Sequence, residues 1–295
     1  MSKFFNLILV SLITFLGFAF ANQEQQKTKA QQLIESSGKR SIEKEKVKEN
    51  EKIIKEALNA FLEGKQIITL LNQGKVNESK ERLNQIREKL EKLQKVYKDK
   101  MAKLPIVVSV YEVVGVRDID TAKKIVENVK KAINENDLVN ARILLNTLRN
   151  EIVIETQYLH LDAYKKAIDL ALSFLEKGNI TKAIESLNIG ISSITVETTI
   201  IPKPIAEAMI LVEDAEKLYK DDSDTALKLL EQAKGNINLA KALGYIKTEE
   251  EIKPLIAKIE SLEKSIKANN IASKELFKDI KVILKETKEK STTVK

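Results

Sequence analysis

Two glutamates are the residues best placed for acid–base chemistry. Glu155 and Glu197 occupy equivalent positions in two segments that match when the chain is displaced by 42 residues. If the two segments pair about a pseudo-twofold axis, the carboxylates approach each other and share a proton, as in an acid sensor or a general acid. The alternative is that both side chains face solvent on the polar side of their strands.

Two arginines are candidate ligand-binding residues, because lysine greatly outnumbers arginine in this chain. Arg142 and Arg149 are seven residues apart on one predicted helix, which places them on the same face. A guanidinium binds carboxylates in a bidentate geometry, so their partners are expected to be Glu151, Glu155 or Glu197. Either structural ion pairing or ligand binding would use this arrangement.

The composition excludes most other chemistries. The 295 residues include no cysteine, one histidine and nine glycines, and none of the glycines forms a nucleotide-binding loop. A serine triad would have to use His160, which we expect to be a turn or surface residue. The sequence therefore predicts neither a metal site nor a cofactor, and it favours a protein that is not an enzyme.

The net charge of +7 does not indicate nucleic-acid binding. Acidic and basic residues alternate along the chain, as in residues 43–46 and 286–290. Such alternation is typical of solvated helix faces with ion pairs four residues apart. Below about pH 4 the carboxylates lose their charge, and we expect acid to loosen the assembly and expose apolar faces to unfolded protein clients.

The first 21 residues have the pattern of an export signal. Lys3 precedes an apolar run over residues 4–18, and Ala19-Phe20-Ala21 is a small-x-small cleavage pattern. We expect cleavage after Ala21, a periplasmic product and no stable membrane insertion afterwards. An uncleaved anchor is the alternative, since the run approaches the minimum length for spanning a bilayer.

The rest of the chain is predicted to be mainly helical. Residues 22–40 are polar and are interpreted as a flexible lead. Three apolar stripes with helical spacing follow: 164, 167, 168, 171, 172 and 175; 205, 208, 209, 212, 215 and 219; and 138, 141, 145 and 148. Alternating β-branched residues over 152–158, 194–200 and 106–114 predict strands that pair in a small sheet.

Helix ends are also predicted. Asp120 and Asp137 are candidate N-caps, because a short carboxylate accepts hydrogen bonds from free amides there. Gly74, Gly178 and Gly244 stand where a helix needs a left-handed terminating residue. With the 42-residue match, these signals predict a bundle of repeated helical hairpins that carries a small β-ribbon.

The stretch 104–245 resembles the YfdX family of exported bacterial proteins. The resemblance rests on Leu104–Val108, Gly115–Asp118, Ala122–Val126, Asp137–Arg142, Leu148–Ile154, Ile200–Pro204 and Leu239–Tyr245. It implies a periplasmic, mainly helical protein that forms homo-oligomers, with a link to acid or envelope stress and chaperone-like behaviour. It supplies no catalytic residues.

The predicted division of the chain is linear. It consists of a signal peptide (1–21), the flexible lead (22–40), a long helical hairpin (41–103), the YfdX-like repeat core (104–245) and C-terminal helices with a tail (246–295). The leading functional hypothesis is a stress-associated protein that binds other proteins. The alternatives are a binder of small ligands or envelope components, and a hydrolase that uses Glu155 and Glu197.

Overall fold

A computed structural model describes residues 27–46, 51–96, 103–270 and 273–295. The described residues form eleven helices and one four-stranded sheet, which confirms the predicted mainly α architecture. The predicted signal peptide lies outside these residues. In chain order the elements are α1 Lys29–Lys46, α2 Glu51–Asn72, α3 Val76–Val96, β1 Lys103–Val113, α4 Ile119–Asn134, α5 Leu138–Thr147, β2 Glu151–His160, α6 Leu161–Glu176, α7 Ile180–Ile191, β3 Ile194–Pro202, α8 Lys203–Leu218, α9 Ser223–Ala242, α10 Glu249–Lys267, α11 Ser273–Ser291 and β4 Thr293–Val294.

The elements divide into two compact units that are interleaved along the chain. Of the described residues, unit 1 comprises those from residue 27 to Ser41, with Val114–Asn150 and Pro202–Ser291. Unit 2 comprises Ile42–Val113, Glu151–Ile201 and Thr292–Lys295. The linear division predicted from the sequence does not coincide with these units, because the chain passes from one to the other several times.

Unit 2 contains the sheet, whose strand order is β1-β2-β3-β4. β1 and β2 are antiparallel, with Leu104 opposite Leu159 and Val113 opposite Glu151. All three predicted strands are therefore confirmed, whereas the short β4 was not predicted. Leu104, Ile106 and Leu159 contribute to one apolar core with helices α2, α3, α6 and α7.

Tyr164 belongs to this core and is fully buried. Its hydroxyl group donates a hydrogen bond to the Ala60 carbonyl oxygen at 3.0 Å. Burial raises the pKa of Tyr164, and the nearby Glu63 carboxylate adds to the rise. All six residues of the predicted α6 stripe are buried, as their spacing indicated.

Unit 1 is built around α8, α9, α10 and α11, whose apolar faces share a second core. The expected flexible lead is wrong over residues 29–40, which form most of α1. Leu33 and Ile34 pack against the second core, and Arg40 forms a salt bridge with the buried Asp214 of α8. Apart from Leu33, Ile34 and Ile42, the large side chains of α1 are polar, and this composition concealed the helix.

The helix ends test the predicted capping residues and the 42-residue repeat. Asp137 caps α5 by accepting a hydrogen bond from the Asn140 amide at 3.0 Å, as predicted. Asn179 caps α7 in the same way, 42 residues later. For α4 the predicted cap is wrong: Asp118, not Asp120, accepts from the Thr121 amide. All three predicted glycines have positive φ, namely 74°, 73° and 85° in chain order.

Candidate protein-binding surface

Helix α5 lies in unit 1 and is packed along only one side. Ala141 is its buried residue, and Leu148, which caps its C-terminus, is buried with Ala122 of α4 and with Leu239 and Leu243 around the end of α9. This small cluster holds the ten-residue helix in place. The remaining residues of α5 are exposed or only partly buried.

The other sides of α5 expose four apolar side chains, which we call the α5 surface. Leu138, Val139, Ile143 and Leu145 are 61%, 74%, 58% and 49% exposed. Of the predicted stripe of residues 138, 141, 145 and 148, only Ala141 and Leu148 are therefore buried. The prediction is wrong for Leu138 and Leu145, which are exposed. Groups of exposed apolar side chains are typical of sites that contact other molecules.

The equivalent helix of the second copy differs at the same positions. Displacement by 42 residues places Val139 on Thr181 and Ile143 on Glu185, which are both exposed on α7. Leu145 falls on Leu187, which is fully buried in the core of unit 2. Two positions exposed in both copies are thus polar in α7 and apolar in α5.

The predicted arginines are not on one helix, because α5 ends at Thr147. Arg142 is exposed on α5 beside Ile143, and it makes no ion pair within the described part of the chain. Arg149 is half-buried in the link between α5 and β2 and has a partner of its own. The α5 surface therefore has one positive charge among its apolar side chains.

The two predicted glutamates have different partners, both in unit 2. Glu155 accepts a hydrogen bond from the Tyr111 hydroxyl at 2.9 Å, and Glu197 forms a salt bridge with Lys103. Each carboxylate thus has a partner of its own, and the predicted pairing of Glu155 with Glu197 stays a prediction. His160 lies 3.3 Å from the Thr195 hydroxyl at an exposed position.

Neither a metal centre nor a membrane span emerges from the described residues. Within them, no group of three or more His, Cys, Asp or Glu side chains is arranged to hold a metal ion. No helix among the described ranges has the length and apolar character needed to cross a membrane.

These features define a mainly α protein of helical hairpins with one small sheet. Residues 60–199 match the model of the YfdX family, described as "YfdX protein". The resemblance to that family is confirmed over this segment, which begins and ends earlier in the chain than the stretch 104–245 from which it was predicted.

A crystal structure of YfdX from Salmonella Typhi is also similar to this chain. The two are 15% identical, with a TM-score of 0.33, and the match covers 48% of this chain and 88% of that one. No curated protein matches the chain by sequence.

Proposed function

We propose that this protein binds non-native polypeptides through the α5 surface and acts without catalysis, as a stress-associated, chaperone-like protein of the YfdX type. The observation that carries the proposal is the contrast between the two copies. Val139 and Ile143 are apolar at exposed positions where α7 has Thr181 and Glu185. Val139 and Ile143 are four residues apart and therefore share one face of α5, where a partner that buries both of them gains apolar contact.

The size of the surface suits weak, reversible binding. Complete burial of a valine, leucine or isoleucine side chain is worth about 1.5–3 kcal/mol, and each of the four is already one-quarter to one-half buried. The four together therefore supply about 3–8 kcal/mol, from which the cost of association must be subtracted. Binding of this strength permits capture and release of a client.

Location and assembly are further parts of the proposal. The sequence pattern of residues 1–21 supports export to the periplasm. The resemblance to YfdX proteins supports a homo-oligomer. In such an assembly, several copies of the α5 surface would bind one client together and raise its effective affinity.

The test replaces the two residues with those of the second copy. Val139→Thr with Ile143→Glu makes α5 resemble α7 at exposed positions, so the fold should be unaffected. The matched control is Ile189→Thr, which changes another exposed isoleucine on α7 to the residue that the first copy has, Thr147. Both proteins are checked by circular dichroism and by sedimentation before use.

The assay follows light scattering as the insulin B chain aggregates after reduction, since this chain has no cysteine to react. We expect the wild type and Ile189→Thr to suppress aggregation, and the double variant to lose most of the effect. Equal suppression by all three proteins would contradict the proposal. If the double variant also changes from oligomer to monomer, the α5 surface joins subunits instead of binding clients.

A further inference from the structure

The outer edge of strand β3 is occupied by only a short segment of the same chain. β4 pairs antiparallel with β3, with Thr199 opposite Val294 and Ile200 opposite Thr293. Thr198 and Lys295 extend this ladder by two backbone hydrogen bonds, of 3.0 and 2.9 Å. The segment Thr292–Lys295 therefore shows that this edge accepts an extended peptide.

The first half of the same edge carries free backbone groups. Thr198 directs both its N–H and its C=O towards β4. Because alternate residues of a strand direct these groups to the same side, Val196 and Ile194 direct theirs to this edge as well. Within the described residues, no strand pairs with residues 194–197 on that side. The Val196 side chain is itself exposed.

We propose that the β3 edge, residues 194–200, is a binding site for an extended polypeptide segment rich in threonine and valine. Such a segment adds an antiparallel strand to the sheet, and its backbone forms most of the hydrogen bonds. The occupant is inferred from Thr293 and Val294, which already hold part of the site. The segment Thr292–Lys295 competes with an incoming strand and guards the edge against uncontrolled pairing.

This site lies in unit 2 and is independent of the α5 surface. The change of Val139 and Ile143 should therefore leave binding at the β3 edge unaffected. Conversely, a protein that does not bind peptide at the β3 edge should still suppress aggregation through the α5 surface. Each proposal can therefore be refuted without refuting the other.

The experiment measures the anisotropy of a fluorescein-labelled peptide on three proteins. The peptide has the sequence of residues 289–295 followed by Thr-Val-Thr-Val, because the register of β4 requires four more residues to reach Ile194. A control peptide has proline at the positions of Thr293 and Val294. The proteins are the full chain, a chain that ends at Ser291, and that shorter chain with Val196→Pro.

Val196→Pro is matched to the site, since it removes an N–H that faces the open edge and leaves the other side of β3 intact. Circular dichroism of each protein establishes that it is folded. We expect the shorter chain to bind the peptide at least about tenfold more tightly than the full chain, because it lacks the tethered competitor. Val196→Pro should weaken that binding, and the proline peptide should not bind.

Three results would overturn the proposal. The folded shorter chain would fail to bind the peptide, or it would bind the proline peptide equally well. Alternatively, the shorter chain would form dimers that excess peptide cannot dissociate, which would assign the edge to a second copy of this chain.

Discussion

Replacement of Gly64 by alanine should destabilise unit 2 strongly, although alanine is the better helix former. A Cβ atom at position 64 would lie 2.0 Å from the Tyr164 hydroxyl oxygen and 3.2 Å from the ring carbon that carries it. Tyr164 is fully buried and cannot move aside without disturbing the core. Its hydroxyl would also lose the hydrogen bond to the Ala60 carbonyl.

The change in the free energy of unfolding is the sum of one favourable and two unfavourable effects. Helix propensity favours alanine by about 0.5–1 kcal/mol. Overpacking costs about 1–3 kcal/mol, and a buried hydroxyl left without its acceptor costs about 1–3 kcal/mol. We therefore expect a net loss of about 2–4 kcal/mol in the free energy of unfolding, measured by urea denaturation with circular dichroism.

Gly235→Ala is the matched control, because it lies within helix α9 and a new Cβ would meet nothing closer than 3.9 Å. It should stabilise the protein by up to about 1 kcal/mol. In a Tyr164→Phe background the hydroxyl is absent, so Gly64→Ala should cost at least about 1 kcal/mol less than in the wild type. If Gly64→Ala is neutral, or equally costly in both backgrounds, the reasoning from this contact is wrong.

Two further predictions concern charged groups of unit 1. Hydrogen bonds from Thr225 hold the pKa of Asp222 below its usual value, so the ionised cap stabilises the fold above about pH 4, the unfolded value, and this contribution disappears as pH falls through the folded value. Asp222→Asn, whose amide caps without ionising, should therefore differ most from the wild type at neutral pH, and a difference in unfolding free energy that is constant with pH would contradict this. Arg40→Gln removes a partner of Asp214, whose side chain is only 8% exposed, and should cost about 1–3 kcal/mol and speed hydrogen exchange in α1. Lys27→Gln, in an exposed pair, should change stability by less than about 1 kcal/mol, and equal effects of the two substitutions would refute this role of the Arg40 salt bridge.

The sequence predicted the fold class well because periodicity reports local structure directly. The α6 stripe and the three alternating strands identify their elements without any long-range information. Two elements, α1 and β4, were not predicted, and each has a physical reason. α1 is polar and is held partly by a charged contact, that of Arg40 with Asp214, and β4 is too short to show alternation.

The candidate surface was not predicted, since periodicity cannot tell a buried apolar face from an exposed one. Leu138 and Leu145 have core spacing, and only the structure shows that they are exposed. One sequence signal was available: the repeat aligns Val139 with Thr181 and Ile143 with Glu185. An apolar residue in one copy and a polar residue in the other indicates a position that packing does not determine.

Site-specific photo-crosslinking tests the central claim most directly. A photoreactive p-benzoylphenylalanine is placed at position 139 on α5 in one protein, and at the equivalent exposed position 181 on α7 in another. Each is irradiated with an unfolded client and analysed for crosslinked product. If the α5 surface binds clients, position 139 should give a client adduct that position 181 does not give. Equal adduct yields at the two positions, or an adduct only at position 181, would contradict the account.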